Sequence, residues 1–194
     1  MLPGVKEAKG DEKKKSYGYQ ERDEGKRQRY LKKLKGYDHE KLYYLDESGI
    51  DRGEGYAYGW CAKGKRLYAE KSGIRQGRVN LIGALNRKGI KAPFVFEGNC
   101  DARVFETYIE RCLLPVLSSG DVVIMDNARY HHTKKVKALL KSKDCKLIYL
   151  PPYSPDLNPI EHFWFPLKNA IRKLLDKGMD LMKAAYNILN KMSS

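Results

Sequence analysis

Three acidic residues stand where a folded chain can hold them rigidly and bring them together. Asp46 and Asp126 each follow a short apolar run typical of a β-strand, which predicts that both carboxylates lie at strand ends. Glu161 follows a proline-rich stretch and lies in the first turn of a predicted helix. If the two strands are neighbours, three negative charges face one point and repel one another unless a cation neutralises them.

The chemistry open to such a cluster is metal-dependent. Hard divalent cations take oxygen ligands, and Mg²⁺ is the usual one at a site with few carboxylates. With two such ions a site can activate a water or a 3′-hydroxyl and stabilise the leaving oxygen of a phosphodiester. The chain has a formal net charge of +14, from 38 Lys+Arg against 24 Asp+Glu, so its surface attracts polyanions. Nucleic acid is therefore the predicted partner.

Each acidic residue also has an ordinary structural interpretation. Asp46 and Asp126, taken singly, are more often solvated turn residues than ligands, because Asp favours strand-to-turn junctions. Residues 158–161 have the form of a capping box, in which Glu161 only reaches back to the amide of the cap residue. Glu47 competes with Asp46, but strand alternation turns it to the opposite face.

The histidines near these positions suggest a metal site more weakly. His131 and His132 are not at helical ligand spacing from another histidine. His162 directly follows Glu161, so the two point to different faces of the predicted helix. Asn127 either orients a water or ligand or belongs to an ordinary turn.

Two further groups have competing structural and functional interpretations. The lysines within 134–143 either grip phosphate or form a solvated helix face. Phe163 and Trp164 are predicted to be core residues that seal the last helix.

The predicted elements place these residues on a mixed sheet covered by helices. Strands are predicted at 42–45, 56–61, 78–85, 92–96, 121–125 and 146–150, and helices at 104–116, at 133–141 and from 159 onward. After Asp121, the strand predicted at 121–125 is continuously apolar, as expected of a strand buried on both sides. Pro166 should kink or divide the last helix. The order predicts an α/β sandwich.

Residues 1–38 differ in character from the remainder. They are rich in charge and poor in aliphatic residues, and 20–34 could be helical. We predict a charged N-terminal arm or linker at 1–38, either a solvated tail or a DNA-contacting arm, before one compact domain at 39–194. The chain has no signal peptide and no apolar run of the roughly 18 to 20 residues that a spanning helix needs, which predicts a cytoplasmic protein. Its four cysteines lack zinc-site spacing and are predicted to be reduced thiols.

Three short segments resemble the catalytic blocks of mariner-like DDE transposases. They are Tyr-Leu-Asp-Glu-Ser at 44–48, Ile-Met-Asp-Asn-Ala at 124–128 and Ser-Pro-Asp-Leu-Asn-Pro-Ile-Glu at 154–161. Between Asp126 and Glu161 lie 34 residues (161 − 126 − 1), the spacing expected of the bacterial insertion sequence 630 branch. The resemblance spans roughly residues 42–175.

The resemblance implies a ribonuclease H-like fold, with a mixed five-stranded sheet flanked by helices. It implies that Asp46, Asp126 and Glu161 are the catalytic residues and the metal ligands, on the first strand, the fourth strand and a later helix. Family members use two Mg²⁺ or Mn²⁺ ions to hydrolyse transposon ends and join the free 3′-hydroxyl to target DNA. Double-stranded DNA is thus the implied partner, and pairing of two ends makes a homodimer on DNA plausible.

One feature departs from the family pattern. Family members carry helix-turn-helix domains before the catalytic core, whereas fewer than 50 residues precede Asp46 and no such motif is found among them. We therefore expect a fragment, a decayed copy or the second frame of a split gene, with a separate chain as a possible source of DNA recognition. Another ribonuclease H-like nuclease, such as a resolvase, and a non-catalytic DNA-binding remnant are the alternative hypotheses.

Overall fold

The described residues form a mixed sheet at the centre of the molecule. The structure is a computed structural model that describes residues 19–53, 63 and 77–193. Five strands are present in these ranges: β1 (Leu42–Asp51), β2 (Arg78–Asn86), β3 (Gly89–Glu97), β4 (Val122–Met125) and β5 (Lys146–Tyr149). Their order across the sheet is β3-β2-β1-β4-β5. The pairs β1–β2 and β2–β3 are antiparallel, and β1–β4 and β4–β5 are parallel. The predicted mixed sheet is confirmed.

Local sequence accounts for the β2–β3 hairpin. Its turn contains Lys88 and Gly89, a pair typical of turns, and the Asn86 side chain accepts a hydrogen bond from the Lys88 amide at 2.9 Å. Gly89 has φ +108°, a value that favours glycine because it lacks a Cβ. The predicted strands 78–85 and 92–96 are therefore confirmed. The first is longer by one residue, and the second is longer by three residues at its start and one at its end.

Helices cover both faces of the sheet. They are α1 (Glu24–Leu34), α2 (Ala102–Tyr108), α3 (Lys134–Ser142), α4 (Pro159–Leu175) and α5 (Leu181–Ser193). Side chains of Asp101 and Thr133 cap α2 and α3 by accepting the amides of Val104 and Val136. After Tyr108, α2 continues as a π-helical turn and then a 3-10 turn that contains Pro115. Proline removes one helical donor, so the predicted helix 104–116 is regular only in its first half.

The C-terminal helices differ from the prediction. Pro166 does not divide α4, which runs without a break from Pro159 to Leu175. The break comes at Gly178, whose φ of +82° ends the helical path. A separate helix, α5, then starts where Asp180 accepts the Lys183 amide, and it was not predicted.

The core is divided between the two faces of the sheet. On one face, α2 and α3 pack on Tyr43, Leu45 and Val123. On the other, α4 and α5 pack over β1 to β3, while α1 packs over β4 and β5 through Tyr30 and Leu34. This sandwich confirms the predicted α/β class.

Some predictions concern residues outside the described ranges. These are the strand at 56–61, Cys61 and most of the arm. The boundary between the arm at 1–38 and the domain at 39–194 stays a prediction. Among the described residues, Cys100, Cys112 and Cys145 are free thiols. No helix in this part of the chain is long and apolar enough to cross a membrane.

Candidate active site

Asp46 lies in the middle of β1. The expectation that it ends a strand is wrong, because β2 supplies pairing partners along β1 from Tyr44 to Asp51. The residues expected to form a turn after Asp46 are therefore strand residues. A central strand holds a side chain more rigidly than a turn does, so Asp46 has a fixed place on the face that α4 covers.

Asp126 follows directly after β4, as predicted, and is in register with Asp46. The parallel β1–β4 ladder pairs Leu42 with Val122 and Tyr44 with Ile124, an offset of 80 residues (122 − 42). Continuing that offset by two residues sets Asp46 opposite Asp126 (126 − 46 = 80). Neighbouring strands are about 4.8 Å apart, and side chains of residues that lie opposite each other point to the same face of the sheet. The condition that the two strands are neighbours is therefore met.

Glu161 lies in the first turn of α4. Pro159 is the first helical residue, as predicted, but residues 158–161 do not form a capping box. The amide of Asn158 donates instead to the Pro155 carbonyl at 2.9 Å, within a 3-10 turn of the proline-rich loop. Glu161 is exposed, so its carboxylate is available to the solvent side of the site.

The three acidic residues line one cavity of about 590 Å³. Its wall is completed by Tyr19, Asn127, Ala128, Leu150, Pro151, Pro152, Tyr153, Ser154, Pro155 and Asn158. Within the ranges that the structure describes, no three His, Cys, Asp or Glu side chains stand close enough to hold one metal ion in common. The acidic residues thus share a cavity without forming a closed cage of ligands.

The Asp46 carboxylate is buried and held by one hydrogen bond. Nε1 of Trp164 donates to Oδ2 of Asp46 at 3.0 Å. Burial raises the pKa of Asp46 to about 7, the Trp164 hydrogen bond lowers it, and the charges of Glu161 and Glu47 raise it. A cation beside this carboxyl group would lower its pKa and stabilise the ionised form, so Asp46 fits a divalent metal ion.

The Asp126 carboxylate is held through a single oxygen. Its Oδ1 accepts from Nδ1 of His131 at 2.7 Å and from the Ala128 amide at 2.9 Å. The hydrogen bond from His131 lowers the pKa of Asp126, although partial burial opposes this. Asp126 is half-exposed, and neither contact uses Oδ2. The arrangement keeps this carboxylate ionised and fixes its orientation.

His131 is fully buried between two carboxylates. Its Nε2 lies 2.9 Å from Oε1 of Glu47, while Nδ1 meets Asp126. Two acceptors require both ring N–H groups, which only the imidazolium form has. Burial lowers the pKa of His131, but the hydrogen bonds to Asp126 and Glu47 outweigh it and bring the pKa to about 9. Both nitrogens are engaged, so the structure contradicts a role for His131 as a metal ligand.

Other predicted candidates have structural roles. Asn127 donates from Nδ2 to the Leu150 carbonyl at 2.5 Å, which ties the end of β4 to the proline-rich loop. His132 stacks on Tyr149 with ring centroids 4.1 Å apart. Trp164 is a core residue, as predicted, but it also contacts Asp46.

Sequence reasoning considered Glu47 and His131 separately and missed the contact between them. Glu47 faces away from Asp46, as strand alternation predicted, yet this direction leads into the buried layer under α2. A carboxylate on a buried face needs a cationic partner. The need of a buried Glu47 for a cationic partner was therefore the signal available in the sequence. His131, five residues after Asp126, was a candidate for that cation.

Sequence comparison gives the same family as the resemblance of the three acidic segments. The sequence profile of the DDE superfamily endonucleases matches residues 41–181. The Tc1 transposase of Caenorhabditis elegans is 34% identical over 68 residues, which cover 35% of this chain and 25% of that protein. The Tcb2 transposase of Caenorhabditis briggsae is 32% identical over 76 residues, covering 37% and 28%. The protein y4pE/y4sA of Sinorhizobium fredii is 44% identical over 96 residues, covering 48% and 68%.

Solved structures share the fold. The Mos1 strand transfer complex superimposes with a TM-score of 0.66 at 16% identity, covering 96% of this chain and 65% of that chain. The Mos1 catalytic domain gives a TM-score of 0.54 at 14% identity, covering 87% and 85%. Our chain spans about a quarter of the length of the two nematode transposases.

The mixed sheet and its acidic cavity define a ribonuclease H-like enzyme fold. The chain belongs to the DDE superfamily endonucleases. The predicted fold and family, a mariner-like DDE catalytic domain, are thereby confirmed.

Proposed function

We propose that the chain is the catalytic domain of a DNA transposase that cleaves double-stranded DNA at transposon ends and joins the 3′-hydroxyl to target DNA. The observation that carries the proposal is that Asp46, Asp126 and Glu161 line one cavity, with Asp46 on β1 and Asp126 directly after the neighbouring strand β4. Two carboxylates from neighbouring strands and a third from a helix suit phosphodiester chemistry with divalent cations.

The donor set fits Mg²⁺ or Mn²⁺. Asp46, Asp126 and Glu161 would hold the metal, and we propose two ions. All three donors are carboxylate oxygens, which hard cations prefer. When bound, the ions supply a nucleophile from a water or 3′-hydroxyl and stabilise the leaving oxygen. Solved Mos1 paired-end complexes contain Mn or Mg, which supports the choice of metal.

The side chains around the carboxylates orient them. Trp164 holds Asp46 through Oδ2, and His131 holds Asp126 through Oδ1. Each Asp therefore presents one oxygen in a fixed direction before any ligand enters. Hydrogen bonds of this kind limit the motion of the carboxylates that would bind the metal, and they thereby raise metal affinity and activity.

Exposed basic side chains on α3 suit a DNA backbone. Lys134, Lys137 and Lys141 are exposed along α3, which follows the Asp126 and His131 segment. Lys135 on the same helix pairs with Glu110 at 2.9 Å. The formal net charge of +14 adds a long-range attraction for phosphate.

The remaining features of the assembly are part of the proposal. We place residues 1–38 as an arm and 39–194 as the catalytic domain, with end recognition supplied by a further domain or a separate DNA-binding chain. Pairing of two transposon ends calls for a homodimer on DNA. The enzyme would act on the nucleoid in a prokaryotic cytoplasm, as the resemblance to the insertion sequence 630 branch suggests.

Nicking of supercoiled plasmid tests the proposal. The purified chain is incubated with Mn²⁺, Mg²⁺ or EDTA, and Asp126→Asn is compared with Glu97→Gln, an exposed acidic residue at the end of β3. We expect metal-dependent nicking that Asp126→Asn abolishes and Glu97→Gln retains. Full activity of Asp126→Asn would overturn the proposal. Nicking without joined products on pre-cut ends would favour a nuclease without transferase activity.

A further inference from the structure

Arg27 is a buried cation on α1, a helix whose other basic residues are exposed. Its side chain donates from Nη1 and Nη2 to Oδ1 and Oδ2 of Asp156 at 2.9 and 2.7 Å. Its Nε lies 3.3 Å from Oε2 of Glu24, three residues away on the same helix. Asp156, in contrast, is 129 residues away in sequence. Because a bidentate contact defines both distance and angle, Arg27 fixes the turn that carries Asp156.

The turn that carries Asp156 also has apolar contacts with the layer that α1 forms. It is a 3-10 turn, Pro155–Leu157, near the end of the proline-rich loop. Leu157 packs against the buried cluster that contains Tyr30 and Leu34 of α1. A polar contact and an apolar contact therefore join the same turn to the same helix, so the turn cannot move without a change in its contacts to α1.

Backbone hydrogen bonds continue from this turn to Glu161. The Asn158 amide donates to the Pro155 carbonyl at 2.9 Å, and the Glu161 amide donates to the Asn158 carbonyl at 3.2 Å. Asn158 is buried, and hydrogen bonds shielded from water are electrostatically stronger than exposed ones. The position of Asp156 therefore helps to determine where the first turn of α4 begins and where Glu161 lies.

We propose that Arg27 is a positioning residue for Glu161 and acts through Asp156; this inference rests on the proposed function. The two aspartates of the site are oriented by direct hydrogen bonds to their carboxylates, whereas Arg27 sets the third carboxylate through the backbone that carries it. The helix α1 precedes residues 41–181, which the family profile matches. The part of the arm that forms α1 thus contributes to the site from outside that segment.

Hydrogen–deuterium exchange in EDTA tests the positioning without metal or DNA. Exchange is followed by mass spectrometry for the wild type, Arg27→Gln, Arg27→Lys and Arg29→Gln. Lysine keeps the charge but not the bidentate contact, so Arg27→Lys also serves if Arg27→Gln does not fold. Arg29→Gln is the matched control, because Arg29 is exposed on the same helix and the variant loses the same charge. Binding of Mn²⁺ to each protein is then measured by electron paramagnetic resonance.

We expect residues 156–163 of Arg27→Gln to exchange roughly tenfold faster than in the wild type, while strand β1 keeps its wild-type rate. The affinity of this variant for Mn²⁺ should fall roughly tenfold, because contacts behind a metal ligand set its position. Arg27→Lys should lie between Arg27→Gln and the wild type in both measurements, and Arg29→Gln should match the wild type.

Equal exchange at residues 156–163 in the Arg27 variants and in Arg29→Gln would overturn the inference. Faster exchange across the whole sheet in both Arg27 variants would also overturn it, because that pattern belongs to a residue that only stabilises the fold. So would local loosening at 156–163 with the wild-type affinity for Mn²⁺. A wild type that binds no Mn²⁺ counts against the proposed function alone, since exchange is measured without metal.

Discussion

The indole of Trp164 donates a hydrogen bond to Asp46 at 3.0 Å, although 118 residues separate them in sequence. Asp46 comes from the central strand and Trp164 from the helix that also carries Glu161. The contact therefore joins the two elements that supply the first and third acidic residues. The hydrogen bond that orients the Asp46 carboxylate therefore depends on the packing of α4 on the sheet.

The variant Trp164→Phe separates the packing of residue 164 from its hydrogen bond to Asp46. The aromatic ring keeps much of its packing, but the donor to Asp46 is lost, so the pKa of Asp46 should rise further above its ordinary value. We expect nicking in Mg²⁺ to fall by about tenfold at pH 7, with partial recovery at higher pH. The measurement is the nicking rate between pH 6 and 9. Phe163→Leu, at the neighbouring position, should keep the wild-type profile, and an unchanged rate in Trp164→Phe would contradict the role.

Glu161→Gln distinguishes a metal ligand from a capping residue. Glu161 is exposed, and the Asn158 amide is already bonded to the Pro155 carbonyl. We expect the free energy of unfolding to change by less than about 0.5 kcal/mol, while metal-dependent nicking is lost. Urea unfolding and plasmid nicking on the same preparation give both values. Retained activity with lowered stability would favour the capping role, and Glu97→Gln is the control for a change of charge.

Asp46 should make the metal-free protein less stable as pH rises. Its pKa is about 7 in the folded chain and near 3.8 when unfolded, so between these values the folded form holds a proton that the unfolded chain has released. Stability thus falls from about pH 4 to pH 7 and is level above that. Asp46→Asn should lack the decline and be more stable at pH 8, by about 4 kcal/mol at most.

Thermal unfolding of both proteins in EDTA, from pH 4 to 8, measures this difference. Adding Mg²⁺ at pH 7 should raise the melting temperature of the wild type more than that of Asp46→Asn, because metal binding stabilises only the form with the ligand. Parallel pH curves for the two proteins would exclude the raised pKa of Asp46.

His131 should contribute stability that is lost at alkaline pH. Its pKa rises from 6.5 to about 9 on folding, so the stabilisation is complete below about pH 6.5 and disappears as pH rises through 9. His131→Gln leaves the Glu47 carboxylate, 15% exposed, without its cation. We expect a loss of about 3 kcal/mol at pH 6, measured by urea unfolding, and a smaller loss at pH 9.

The double variant Glu47→Gln with His131→Gln is the matched control for this prediction. Two neutral amides can share a hydrogen bond, so part of the lost stability should return. If the double variant is no more stable than His131→Gln, the buried ion pair does not account for the loss.

The sequence predicted the acidic residues better than their surroundings. Asp46 and Asp126 end apolar runs, and Glu161 follows four prolines, so each has a local signal. The mid-strand position of Asp46 depends on pairing with β2, which a single strand does not encode. Likewise, the contact between Glu47 and His131 spans 84 residues, and only the folded sheet brings the two together.

Errors in the helices have local physical causes. Pro166 suggested a break because proline removes a backbone donor, but α4 continues to Leu175 on a buried face that includes Leu167 and Ile171. Packing of that face outweighs one lost hydrogen bond. The helix α5 was missed because its apolar positions follow Gly178 so closely that they resemble a continuation of α4.

The parallel pairing of β1 with β4 has a consequence for how the protein folds. β2 and β3 are joined by a short turn, whereas the β1–β4 ladder joins residues 80 apart in the chain. Closing a long loop costs more entropy than closing a short one, so distant pairings form late in folding. A folding intermediate that contains only the antiparallel strands would lack the register that sets Asp46 opposite Asp126. We therefore expect the proposed catalytic site to form late in folding.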